Sequence, residues 1–122
     1  MSLRVEASKV EPDIVVFRLH GSLTLGPETD ALESSVRNLM GQGEKKVIFE
    51  LSGVERIDSV GGVELLRCFF AARDDGGGLR LACPSISVQR LFRSIQVESL
   101  IPLYPNVAAA CENFTTGEAK RT

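Results

Sequence analysis

The chain opens with alternation. Leu3, Val5 and Ala7 are apolar against polar Arg4, Glu6 and Ser8, the period of a half-buried strand over Leu3–Val10. Glu11-Pro12-Asp13 reads as a turn, and the β-branched and aromatic run Ile14–Leu19 as a second strand paired with the first in a hairpin. After a break over Gly21–Gly26, Pro27 suits a first helical turn, where its missing N–H costs nothing. Leu32, Val36, Leu39 and Met40 then recur at helical spacing until Gly41-Gln42-Gly43 stops the helix. Lys46–Leu51 is a short, mostly apolar stretch that reads as a central strand, followed by a loop over Ser52–Arg56. From Ile57-Asp58-Ser59 the chain passes into a helix whose expected buried face is Val63, Leu66, Phe69 and Phe70, with Glu64 and Arg67 toward solvent. Leu79–Cys83 reads as a strand with Leu79, Leu81 and Cys83 on one face. Pro84-Ser85 opens a helix carrying Val88, Leu91, Phe92 and Ile95, Leu100–Tyr104 is a last strand, and Pro105-Asn106 starts a helix through Phe114.

The resulting order, β-β-α-β-α-β-α-β-α, predicts an α/β fold. An opening hairpin followed by αβ units implies one mixed, mostly parallel sheet of about five strands packed with about four helices. Residues 1–114 form a single domain in this reading, and the polar stretch 115–122 a disordered tail.

Composition narrows the chemistry. Formal net charge is −2, with 43% hydrophobic and 25% charged residues, the profile of an ordinary globular domain. That balance lacks the basic excess of a nucleic-acid binder or a polybasic membrane tether. The longest apolar runs, Ile14–Phe17 and Val107–Cys111, fall far short of the roughly 20 residues that span a bilayer. No signal-peptide h-region follows Met1, so a cytoplasmic location is expected. Cys68, Cys83 and Cys111 form no CxxC pair and sit among apolar neighbours, as small buried hydrophobes do. His20 is the one histidine, which leaves no multi-histidine metal site and little for nucleophilic catalysis; it reads as a rim residue of a strand. No catalytic residue, metal or cofactor is expected.

Ile57-Asp58-Ser59-Val60-Gly61 is the informative segment. Ser59 stands at a loop-to-helix junction, placed to serve as an N-cap. The glycines after it let another backbone come close. A phosphoryl group is physically tolerable there, because helix N-terminal N–H groups and the dipole favour an anion. Asp58 is placed to orient the loop through a side-chain-to-backbone hydrogen bond.

These residues carry a family resemblance. The chain resembles a STAS domain, specifically the small single-domain anti-sigma factor antagonists of bacteria. The matching segments are Ile57-Asp58-Ser59-Val60-Gly61, which corresponds to the family's D-S-x-G phosphorylation motif; the strand Val47–Val54 before it; Gly77-Gly78-Leu79-Arg80-Leu81; Pro84-Ser85 with Val88–Phe92; and Ile101–Pro105 followed by Val107–Ala110. The resemblance runs from Val5 to Phe114. It implies a non-enzymatic protein that binds a serine-kinase anti-sigma factor, which then releases its sigma factor. The kinase would phosphorylate Ser59 using ATP, the phosphorylated form would let go, and a serine phosphatase would reset it. Thr24, Asp58, Ser59, Val60, Gly61 and Glu64 are the expected partner contacts, with no direct nucleic-acid binding and no membrane insertion. A monomer or weak dimer is expected. Where family members carry Gly-Glu-Leu-Asp, this chain has Gly21-Ser22-Leu23-Thr24. That departure supports an alternative, a non-phosphorylated STAS interaction subunit of a sensory or transporter complex, in which Ser59 is only an N-cap.

Overall fold

The computed structural model describes residues 2–95 and 100–115. The elements follow the expected order: β1 (Leu3–Val10), β2 (Ile14–Leu23), α1 (Pro27–Gly41), β3 (Lys46–Ile57), α2 (Ser59–Asp74), β4 (Gly78–Ala82), α3 (Ile86–Ile95), β5 (Leu103–Tyr104) and α4 (Val107–Cys111). They form a five-stranded sheet in the order β1-β2-β3-β4-β5. The β1–β2 hairpin is antiparallel and every later pairing is parallel. The tail expected over 115–122 lies, apart from Thr115, outside the described residues. Among the described residues no helix is long and apolar enough to cross a membrane.

Strand alternation divides the core into two layers. Val15, Phe17 and Leu19 of β2, Val47, Phe49 and Leu51 of β3, and Leu79 and Leu81 of β4 meet buried side chains of α1, α2 and α3. Phe17 and Phe49 are register partners, and their rings stack with centroids 5.8 Å apart. The alternate residues Ile14, Val16, Ile48 and Ala82 pack with Ala110 of α4 and with Phe114 just after it. Each large side chain so buried stabilises the fold by about 1.5–3 kcal/mol.

Several expectations need correction. In β1 only Leu3 is buried; Val5 and Ala7 are exposed, because β1 is an edge strand beyond the main helix layer. β2 runs on to Leu23, into the segment read as a break, and β3 runs through the loop read over Ser52–Arg56 to Ile57, with register shifts at Arg18/His20 and Gly21/Ser22. At Gly53 a Cβ would collide with the His20 ring, so the glycine permits close strand approach rather than ending the strand.

The buried residues of α2 are Gly61, Gly62, Glu64, Leu65, Cys68, Phe69, Ala71 and Ala72, while Val63 is 44% and Phe70 36% exposed. The glycines are themselves the start of that buried face, which shifts its phase from the one read off the large apolar residues. Cys83 lies past the end of β4 at φ 55 and packs with the α4 layer instead of alongside Leu79 and Leu81. In α3, Val88 and Phe92 are buried, Leu91 is half-buried and Ile95 is exposed. The last strand begins at Leu103, and Leu100 is exposed.

α4 ends at Cys111, short of Phe114, because the chain turns at Asn113 with φ 53. Buried Arg80 holds that turn. Its guanidinium donates to the carbonyls of Ala110, Glu112 and Asn113 at 2.9, 2.8 and 3.1 Å and lies against the rings of Phe114 and Tyr104. Nothing in the sequence pattern singled out this arginine for burial.

Candidate functional site

Parallel strands end on the same edge of a sheet, and the helices that follow start there, so backbone N–H groups converge on that edge. Here β2 ends at Leu23 and β3 at Ile57, paired with each other. Asp58 joins the two connections. Its backbone is extended, and its Oδ1 accepts from the Gly61 N–H at 2.9 Å, capping α2. Its Oδ2 accepts from the Leu25 N–H at 3.3 Å, and its own N–H donates to the Leu23 carbonyl at 3.4 Å. The expected orienting role of Asp58 is therefore realised by its side chain.

Ser59 is not the N-cap. It is the first residue of α2, exposed, and its hydroxyl has no partner among the described residues. The reason is geometric: Asp58 holds the extended backbone that a cap requires, and its carboxylate already occupies the Gly61 N–H. Gly61 is buried against the end of β2, where a Cβ would overlap the Leu23 carbonyl oxygen. It thus lets helix and strand touch, and it offers no side chain to a partner.

A hollow of about 220 Å³ opens beside Ser59, lined by Asp30, Val60, Val63, Glu64 and Arg67 as well as the serine. Glu64 is not the solvent-facing residue expected. It is only 4% exposed, and its Oε2 accepts from the Glu33 N–H of α1 at 3.0 Å. Burial raises its pKa, with Glu33 and Asp30 adding to the rise, while the hydrogen bond and Arg67 oppose it. Thr24 lies outside this hollow, beside Arg56 and Arg90 in a neighbouring one. The expected set therefore separates: Ser59, Val60 and Glu64 share one surface, Asp58 supports it, Gly61 is structural, and Thr24 belongs to an adjacent surface.

The sequence reading missed Leu25, Asp30 and Val63. Leu25 is 74% exposed although Asp58 holds its backbone N–H. An exposed leucine on a tethered backbone after a strand break is a signal that only the β2–β3 pairing makes visible. Val63 was assigned to the core for lack of the correct helix phase.

Other reactive groups lie elsewhere. His20 sits at the strand rim with Nε2 3.1 Å from Glu6 Oε1. Cys68 is buried, Cys83 and Cys111 are half-buried, and burial raises the pKa of all three, which holds them as thiols. Among the described residues no group of three or more His, Cys, Asp or Glu side chains is placed to hold a metal ion.

The family model of the STAS domain matches residues 7–110. No curated protein sequence matches the chain. Among solved structures, the Thermotoga maritima protein TM1081 is similar at TM-score 0.72 and 20% identity, covering 96% of this chain and 95% of that one. An anti-sigma factor antagonist from Mycobacterium paratuberculosis is similar at TM-score 0.70 and 21% identity, covering 89% and 91%. The Bacillus cell fate determinant SpoIIAA in its phosphorylated form gives TM-score 0.63 and 19% identity, covering 87% and 96%.

Proposed function

We propose that this chain, which belongs to the STAS domain family, acts as an anti-sigma factor antagonist switched by phosphorylation of Ser59. The observation that carries the reading is the Ser59 hydroxyl: exposed, unpartnered among the described residues, and spared from capping by Asp58. The likeness in fold to the Mycobacterium paratuberculosis antagonist and to SpoIIAA, itself an anti-sigma factor antagonist and solved in a phosphorylated form, supports it.

The partner is a serine-kinase anti-sigma factor that docks over the Ser59 end of the sheet. Exposed Leu25, Val60 and Val63 supply apolar contact around the serine. The chain is the kinase's substrate and binding partner rather than an enzyme. A phosphate at Ser59 adds roughly −1.5 to −2 of charge beside Asp30 and Glu64. The α2 N-terminus tolerates that charge, so the domain stays folded while repulsion and desolvation oppose docking. A serine phosphatase restores the binding form, and the cycle runs in the cytoplasm.

The test is incubation of the protein with a serine-kinase anti-sigma factor and ATP, followed by mass spectrometry. The expected result is one phosphate, on Ser59, lost in Ser59→Ala. Phosphate on another residue, or equal labelling of Ser59→Ala, contradicts the reading.

A further inference from the structure

The second hollow, about 550 Å³, is lined along β3 by residues up to Ile57 where the first is lined along α2 from Ser59 onward, and its charged lining is of opposite net sign. Arg56 comes from the end of β3 and Arg90 from the middle of α3. Both are exposed, and neither forms an ion pair among the described residues. Thr24 and Ser94 add hydroxyls to the lining, and Leu91 adds an apolar wall. Glu55 is the carboxylate of the lining, and no ion pair joins it to either arginine. Ser87 Oγ donates to the Glu55 carbonyl at 2.9 Å, which ties the start of α3 to β3, and Arg56 and Arg90 line the same hollow.

We infer that this hollow docks an acidic segment of the protein partner that covers Ser59. The inference rests on the reading that a protein docks at that end of the sheet. Two unpaired guanidinium groups flanked by hydroxyls match carboxylate geometry, and the apolar wall suits a side chain within such a segment. The opening is broad, so it fits an extended polypeptide. The net charge of −2 makes a local pair of free arginines a directed feature rather than part of a basic surface. Arg56 stands three residues before Ser59, so one partner covers both hollows, with apolar contact at one and charge pairing at the other.

The test is an amide-shift titration of the full chain by NMR. The probe is a capped peptide of glutamates around one leucine, with its lysine counterpart as control. The glutamate peptide is expected to move Thr24, Arg56, Arg90 and Ser94, with affinity falling as salt rises. Arg56→Glu with Arg90→Glu is expected to weaken it roughly tenfold or more, whereas lysine at both positions, which keeps the charge without the planar fork, weakens it less. Unchanged melting temperatures establish that the variants remain folded, and Arg56→Gln with Arg90→Gln provides a milder pair. Equal shifts with both peptides, shifts confined to other surfaces, or unchanged affinity in the doubly reversed variant overturn the inference. Ser59 labelling by a kinase with any of those results removes the acidic-segment site alone. Peptide binding at the arginines without Ser59 labelling sustains the hollow and removes the phosphorylation reading.

Discussion

Both carboxylate oxygens of Asp58 hold backbone N–H groups, one in α2 and one in the β2–α1 connection. Asp58→Ala is expected to cost about 1 kcal/mol or more, the range for losing an N-cap. Ser59→Ala is expected to change stability by less than about 0.5 kcal/mol, as exposed substitutions do. Urea denaturation of the two variants checks the assignment, and a reversed order contradicts it. The sequence made Asp58 and Ser59 stand out but assigned the cap to the wrong one. Serine and aspartate are both good caps, and only backbone geometry separates them.

Glu64 belongs to the same scale. Its pKa is raised in the folded protein because burial penalises the charged form. The folded state therefore binds this proton more tightly than the unfolded chain does. That stabilisation is full below the ordinary glutamate range and is lost as pH rises through the raised value. Relative to Glu64→Gln, the wild type is expected to gain stability as pH falls from 7 toward 4, read by thermal melts of both proteins. A pH-independent difference contradicts it. The burial of Glu64 was not legible, since a glutamate beside an arginine on a helix ordinarily reads as surface.

At the scale of elements, periodicity was informative where one face is plainly apolar. α1 and the buried positions Leu32, Val36 and Met40 follow directly from it. It failed in α2 because Gly61 and Gly62 occupy core positions without apolar bulk. It also shortened β2 and β3, because Gly21 and Gly53 read as breakers while the structure uses Gly53 for close approach. Gly61→Ala tests this scale. The added methyl meets the Leu23 carbonyl, and neither helix nor strand can move without disturbing Asp58. A loss of about 1–3 kcal/mol is expected, the cost of overpacking. A neutral or stabilising result, as helix propensity alone predicts, contradicts the close contact.

For the whole molecule, strand order and the one-sided placement of α1, α2 and α3 bring Ser59, Leu25 and the arginine hollow to one end of the sheet. The class of the fold was legible from the order of elements. Which side chains share a surface was not, because that depends on strand register and helix phase. A phosphate on Ser59 would take the formal charge from −2 to about −4, and its position would matter more than the sum. The most direct measurement is the affinity of the serine-kinase anti-sigma factor for the protein before and after phosphorylation, with the melting temperature recorded for both forms. Affinity is expected to fall by roughly 5–150-fold, the usual span of a coupling between two states, at a nearly unchanged melting temperature. Equal affinity for the two forms, or weakened binding accompanied by unfolding, would contradict it.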